Sequence, residues 1–336
     1  MIIQLFKNIS TEDKQAVMSA VTKLGYKPNE VNTQMGSYIV AIGKKEFDIR
    51  MLGSMVGITD IHRVSDDYKL VSNKWKVNPT IIDLGDEVLI GDGSLTIMAG
   101  PCSIENEKQI EATINHLIEN NVRIMRGGVF KPRSSPYAFR GLGIDGLRLW
   151  HSLTRKAGIK IVSEVMQVSQ IAEMVDYVDV FQVGARNTQN FNLLDELGKV
   201  DKPVMIKRGI SGTIEELLYS AEYVFSAGNE KLMLCERGIR TYEKASRNTF
   251  DINAIPILKE KTHLPIIADP SHGIGIREYV EPVALAAVMA GADGVIYETH
   301  QKPEEAFSDS QQTIDFIESE RLIQKLKKLH ELNLAF

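Results

Sequence analysis

"LPIIADPSHGIGIREYVEPVALAAVMAGADGVIYETH", Leu264 to His300, holds the unit that decides the fold. A short β-branched run, "LPIIADPS", ends in polar residues. An alanine- and valine-rich stretch with helical spacing, "VEPVALAAVMAGA", follows, and then a second β-branched run, "ADGVIYETH", also ends in polar residues. Strand, helix, strand within so short a span is the βα repeat of a parallel sheet.

Working outward, the same alternation starts near residue 95 and holds to the end. The further runs are "LTIMAG", "VRIMRGG", "GIKIVSEV", "VDVFQVGA", "PVMIKRG" and "KLMLCERG", which with the two above make eight strands. Amphipathic stretches such as "NEKQIEATINHLIENN" and "TIEELLYSAEYVFSAG" lie between them. Eight βα units in about 235 residues match the count and size of a (β/α)8 TIM barrel, and near-even units favour closure over an open doubly wound sheet.

The first 65 residues read differently, as strand, helix, strand, strand, helix, strand. "STEDKQAVMSAVTKLGY" opens with a Ser/Thr cap and acids in its first turn. That order fits a small ferredoxin-like α+β module at 1–65. The stretch 66–80, "SDDYKLVSNKWKVNP" and neighbours, is polar and reads as a linker before a catalytic domain at 81–336. "TIIDLGDEVLIGDGS" reads as a hairpin, spanning 81–92, at the amino end of the barrel.

Composition sets limits. The 336 residues are 43% hydrophobic and 25% charged, as in an ordinary soluble protein. With 39 Lys+Arg against 44 Asp+Glu the net charge is -5, which argues against a nucleic-acid surface. No apolar run approaches the roughly 20 residues that span a bilayer, and the N-terminus lacks a signal-peptide layout. Two cysteines, Cys102 and Cys235, fit a reducing cytoplasm rather than a disulfide framework.

In TIM barrels chemistry sits at the carboxyl ends of the strands. Here each strand ends in a reactive residue: Cys102, Arg126, Glu164, Arg186, Lys207, Glu236 with Arg237, Asp269 with His272, and Glu298 with His300. Arg126, Lys131, Arg133, Arg186, Lys207 and Arg237 would converge on one mouth. Arginine forks and lysine point charges suit phosphate and carboxylate oxygens, so strongly anionic substrates are expected. Cys102, His272, Glu298 and Asp309 offer donors for Mn, Fe, Co or Zn. No short-spacing metal motif is present, however, and each residue taken alone has an ordinary structural reading. Lys207 could instead form a Schiff base, although adjacent Arg208 suits anion binding as well. Cys235 reads as core.

"AGPCSIE", "RGGVFKPRSSPYAFRGLG", "QVGARNTQN", "KRGISGTIEELLYSAEY", "CERGIRTYEKASRNTFD" and "ADPSHGIG" resemble the 3-deoxy-D-arabino-heptulosonate 7-phosphate (DAHP) synthases over roughly residues 80–330, in the microbial subtype with an N-terminal ferredoxin-like module. The related 3-deoxy-D-manno-octulosonate 8-phosphate (KDO8P) synthases typically have Lys-Ala-Asn where this chain has Lys131-Pro132-Arg133-Ser134. The resemblance implies condensation of phosphoenolpyruvate with erythrose 4-phosphate, at the entry to aromatic amino acid biosynthesis. It assigns Arg126, Lys131, Gly184, Ala185, Arg186, Lys207 and Arg237 to phosphoenolpyruvate, with Glu164 assisting. Pro132, Arg133 and Ser134 fall to the aldose phosphate. Cys102, His272, Glu298 and Asp309 become ligands of one divalent metal ion, and the Schiff base becomes improbable. Lys131, Glu164 and Asp269 are the implied proton-handling residues. Feedback inhibition by Tyr or Phe through a module that closes over the mouth, and assembly as a homotetramer or homodimer, are implied as well. The alternatives are a KDO8P synthase using arabinose 5-phosphate and a non-catalytic aromatic amino acid sensor on a decayed barrel.

Overall fold

The computed structural model describes residues 1–43, 48–131, 137 and 139–334. The chain begins with β1 (Ile2–Leu5), α1 (Thr11–Lys23), β2 (Lys27–Asn32), β3 (Ser37–Ile42), α2 (Arg50–Gly53) and β4 (Ile58–His62). Ser10 caps α1 by accepting from the Asp13 amide at 3.0 Å. The four strands form an antiparallel sheet in the order β2-β3-β1-β4, which is the ferredoxin-like arrangement. Ile3, Ile39 and Ala41 pack with Val17 and Val21 of α1. The opposite face, with Ile2, Val31, Tyr38 and Val40, joins the cluster that contains Trp75 and Phe225. Because both faces are covered, Ser37 to Ala41 are all buried, and the alternation of a half-exposed strand is lost.

Residues 66–80 are not the free polar tether that their composition suggests. Tyr68, Leu70, Val71 and Trp75 are buried. Trp75 Nε1 donates to the Leu70 carbonyl at 2.8 Å, and its ring stands edge-on to Tyr38 and His263, with centroids 5.3 and 5.8 Å away. The Glu222 carboxylate accepts from the Leu70 and Val71 amides at 2.9 and 3.1 Å. Four apolar anchors are enough to hold a strap down while Asp67 and Lys74 face water, so mean polarity misreads it. Thr33 bonds Glu230, and Thr80 bonds His263. Both partners lie in connections that enter strands, so the module and strap are seated towards the amino end of the barrel.

A two-stranded hairpin, β5 (Ile82–Asp83) and β6 (Leu89–Ile90), comes next. Its Ile82, Val88 and Ile90 pack with Met98, Ile124, Val162, Met205, Met233 and Cys235 inside the barrel, closing its floor. Cys235 is therefore core, as expected.

The barrel strands are β7 (Thr96–Gly100), β8 (Ile124–Gly127), β9 (Lys160–Val165), β10 (Val180–Val183), β11 (Val204–Lys207), β12 (Leu232–Glu236), β13 (Ile266–Ala268) and β14 (Gly294–Glu298). All pair in parallel, and β14 returns to β7 to close the ring, a (β/α)8 TIM barrel. The covering helices are α3 (Glu107–Glu119), α4 (Gly143–Lys156), α5 (Val168–Met174), α6 (Phe191–Leu197), α7 (Ile214–Ser226) and α8 (Ala254–Lys261). They are joined by a short α9 (Pro270–Ile274), then α10 (Arg277–Met289) and α11 (Phe316–Asn333). Asn106 caps α3, and Thr213 with Glu216 forms a capping box on α7. No helix among the described residues is long and apolar enough to cross a membrane.

Candidate active site

Parallel strands point their carboxyl ends one way, so the strand-end residues meet at one mouth. A cavity of about 170 Å³ there is lined by Lys131, Glu164, Ala185, Arg186, Arg237, His272 and Asp309, among others. Through Ala185, Arg186 and Ile210 it adjoins a second cavity of about 350 Å³ bounded by Gly209–Gly212 and the start of α7.

A donor cluster borders the cavity through His272 and Asp309. Cys102, Glu298 and Asp309 offer ligand atoms that all lie within 4.8 Å of one another. His272 stands beside them, with Nε2 3.4 Å from Glu298 Oε1. Its Nδ1 is 2.8 Å from Asp269 Oδ2, which orients the ring and leaves Nε2 facing the cluster. Asp269 caps α9 through the His272 amide at 3.1 Å, so one carboxylate sets both the backbone and the ring of His272.

These groups fit a divalent cation. Burial, with Glu298 adjacent, pushes the Cys102 thiol up to about 12, against 9.0 for a free thiol. Burial works to raise Glu298 too, but His272 and Arg126 outweigh it and hold the carboxyl below its usual value. Asp309 is drawn down to about 2: burial opposes this, and His272 and Arg247 overcome it. A thiol and two ionised carboxylates crowded together are a set of soft and hard anionic donors that a cation would satisfy.

The cations fall into two groups. Arg126 Nη1 donates to Pro101 O at 2.8 Å and to Glu298 Oε1 at 3.1 Å, while its buried Nε has no partner among the described residues. Lys207 is paired with Asp269. Burial acts to raise Asp269, yet His272 and Lys207 hold it well below the ordinary carboxylate range. Lys131 Nζ sits 2.9 Å from Cys102 O and 3.0 Å from its Sγ, between the donor cluster and the cavity. Burial alone would lower the lysine, but Cys102 reverses this and its pKa is raised.

Arg186 and Arg237 are different: no carboxylate meets either among the described residues. Among the described residues the buried Arg237 donates only to Gly238 O at 3.1 Å and His272 O at 3.4 Å, and burial pushes its pKa down. Arg186 is exposed at the cavity wall. Unneutralised guanidinium groups facing one cavity are an anion site in waiting. Gly184 lets the wall close in, since a Cβ there would stand 2.1 Å from Glu164 Oε1. Pro132, Arg133 and Ser134 lie outside the described residues.

Two further cations line this cavity that strand-end reasoning missed, Arg240 and Arg247. They sit in the long connection from β12 to α8. The motif "CERGIRTYEKASRNTFD" contains both, but only its strand-end Arg237 stood out. His300 is buried with Nε2 3.6 Å from Glu105 Oε2, outside the cavity lining.

Residues 75–335 match the family described as the DAHP synthetase I family. The chain belongs to it. A phospho-2-dehydro-3-deoxyheptonate aldolase of Thermotoga maritima is 43% identical, the match covering 98% of this chain and 97% of the relative. The crystal structure of a DAHP synthase from Thermotoga maritima superposes with a TM-score of 0.79 at 42% identity, covering 98% of this chain and 97% of that one. A 2-dehydro-3-deoxyphosphooctonate aldolase of Geobacter sulfurreducens is more distant, 29% identical over 74% of this chain and 97% of its own. That match is short of the full chain, whereas the two Thermotoga maritima matches include the N-terminal module.

Proposed function

We propose that this chain is a metal-dependent DAHP synthase that condenses phosphoenolpyruvate with erythrose 4-phosphate, using one molecule of water and releasing phosphate. The observation that carries the reading is one cavity that brings Arg186 and Arg237, with no carboxylate partner among the described residues, together with His272 and Asp309, which cluster with Cys102 and Glu298. The full-length similarity to a DAHP synthase supports the choice of aldose.

In this reading Arg186 and Arg237 take the phosphate of phosphoenolpyruvate. Arg126, whose buried Nε is unpartnered among the described residues, and Lys207 secure the rest of the molecule, and the Gly184–Ala185 backbone lies against it. A divalent ion held by Cys102, His272, Glu298 and Asp309 would supply Lewis acidity towards the aldehyde oxygen. Lys131, raised in pKa and reaching from the cavity to Cys102, donates a proton to that oxygen as the enol C3 attacks. Glu164 positions the water that adds at C2. Asp269 keeps Lys207 and His272 in place. Pro132, Arg133 and Ser134 are assigned to the aldose phosphate on their sequence match.

The N-terminal module is assigned to feedback inhibition by Tyr or Phe, supported by its being a separate α+β unit. The assay that tests the catalytic reading offers erythrose 4-phosphate and arabinose 5-phosphate separately, with and without chelator. Turnover of erythrose 4-phosphate that stops with chelator and returns with Mn²⁺ is expected. Preference for arabinose 5-phosphate, or full activity in chelator, would refute it.

A further inference from the structure

Asp309 carries its backbone at φ 51, the left-handed region that a non-glycine residue enters only when its surroundings over-determine it. The side chain is fixed from two sides: Oδ2 accepts from Cys102 Sγ at 3.2 Å, and Oδ1 from Arg247 Nη1 at 3.3 Å. Arg247 Nη1 also donates to Gln312 Oε1 at 2.7 Å, and Gln312 Nε2 donates to Glu298 Oε2 at 2.7 Å. A continuous chain therefore runs from Asp309 through Arg247 and Gln312 to Glu298, and its two middle members are not metal donors.

The chemistry of the chain has one sense. A guanidinium only donates and a carboxylate only accepts, so a residue bridging them must accept at one end and donate at the other. A side-chain amide does this, and Gln312 is 1% exposed, with both ends used. The backbone ties the same pieces together. Arg247 N donates to Ile274 O at 3.1 Å, Ile314 N to Glu298 O at 3.1 Å, and Gln312 N to Asp309 O at 3.3 Å.

We propose that Arg247 and Gln312 form a brace that holds Asp309 and Glu298 at ligating separation, acting as positioning residues for the metal site. Arg247 sets a positive charge beside Asp309, and the Gln312 amide gives Glu298 a hydrogen bond, so two carboxylates that would otherwise repel are held together. It also connects the β12–α8 loop, which lines the substrate cavity, to the ligand set. This rests on the metal reading above.

The test strips the full chain with chelator, removes the chelator, and titrates Mn²⁺ by electron paramagnetic resonance for the wild type, Arg247→Lys and Gln312→Leu. Arg247→Lys keeps the charge and loses the fork, and because the arginine side chain is 43% exposed the fold is not at risk. Thermal melting checks that both variants are folded. Each variant should bind Mn²⁺ about 10–100-fold more weakly, the range for outer partners of metal ligands, and Co²⁺ bound in place of Mn²⁺ should show displaced ligand-field bands. Wild-type affinity in either folded variant overturns the brace alone. Failure of the wild type to bind Mn²⁺ overturns the metal reading and the brace with it.

Discussion

Arg237 gives the sharpest test of the cavity's charge. Its guanidinium is buried, and its hydrogen bonds go to two backbone carbonyls, one of them long at 3.4 Å. Taking an ion out of water costs several kcal/mol even after relaxation, and one good charged hydrogen bond returns about 1.5–3 kcal/mol. Asp269 attracts the guanidinium without a hydrogen bond to it and offsets part of the cost, so about 2 kcal/mol is left uncompensated until an anion arrives. Arg237→Met, which has similar length and no charge, should therefore make the ligand-free protein more stable by about 1–2 kcal/mol, while phosphoenolpyruvate no longer protects it. In the wild type, phosphoenolpyruvate at a hundred times its Kd should add about 2.7 kcal/mol. The measurement is denaturant unfolding in phosphate-free buffer with and without phosphoenolpyruvate. A variant less stable than the wild type that still gains from phosphoenolpyruvate would refute the reasoning.

Cys102→Ser should weaken metal binding and activity together, because a hydroxyl is rarely ionised and a poorer ligand for a borderline ion; Mn²⁺ titration beside an activity assay checks it. His263 is buried, and burial, with Lys76 nearby, lowers its pKa from 6.5 to about 3. Below pH 6.5 the unfolded chain takes up a proton that the folded chain refuses, so stability falls with pH down to about 3. The loss at pH 5 relative to neutral pH should be about 2 kcal/mol, and unfolding of His263→Gln across that range should lack it. Trp75→Ala should cost about 3–5 kcal/mol, since a large side chain is removed from a packed strap; a change under 1 kcal/mol would mean that the strap is loose. Deleting residues 1–65 while keeping the strap should leave a folded, active barrel that no longer responds to Tyr or Phe, and retained inhibition would clear the module of a sensing role.

The architecture was legible because it rests on local periodicity. β-Branched runs of four to six residues, amphipathic helices and caps such as Ser10 and Thr213 are short-range signals, and eight of them in series imply closure. Parallel strands then carry Cys102, Arg126, Glu164, Lys207, Asp269 and Glu298 to one end, so the mouth followed from the count. Tertiary structure decided what depends on pairing between distant segments. Arg126 and Lys207 form ion pairs with Glu298 and Asp269, whereas Arg186 and Arg237 form none among the described residues, and no residue's own neighbours in sequence encode that difference. Arg247 and Gln312 lie in loops without periodicity, 65 positions apart, and meet only once the barrel has closed. The strap at 66–80 looks polar because hydropathy averages over all its residues. Burial, by contrast, is set by where Tyr68, Leu70, Val71 and Trp75 land against α7, the α8–β13 connection and the module's sheet. Short-range chemistry specified the elements and their ends; long-range packing decided which charges were left for a ligand.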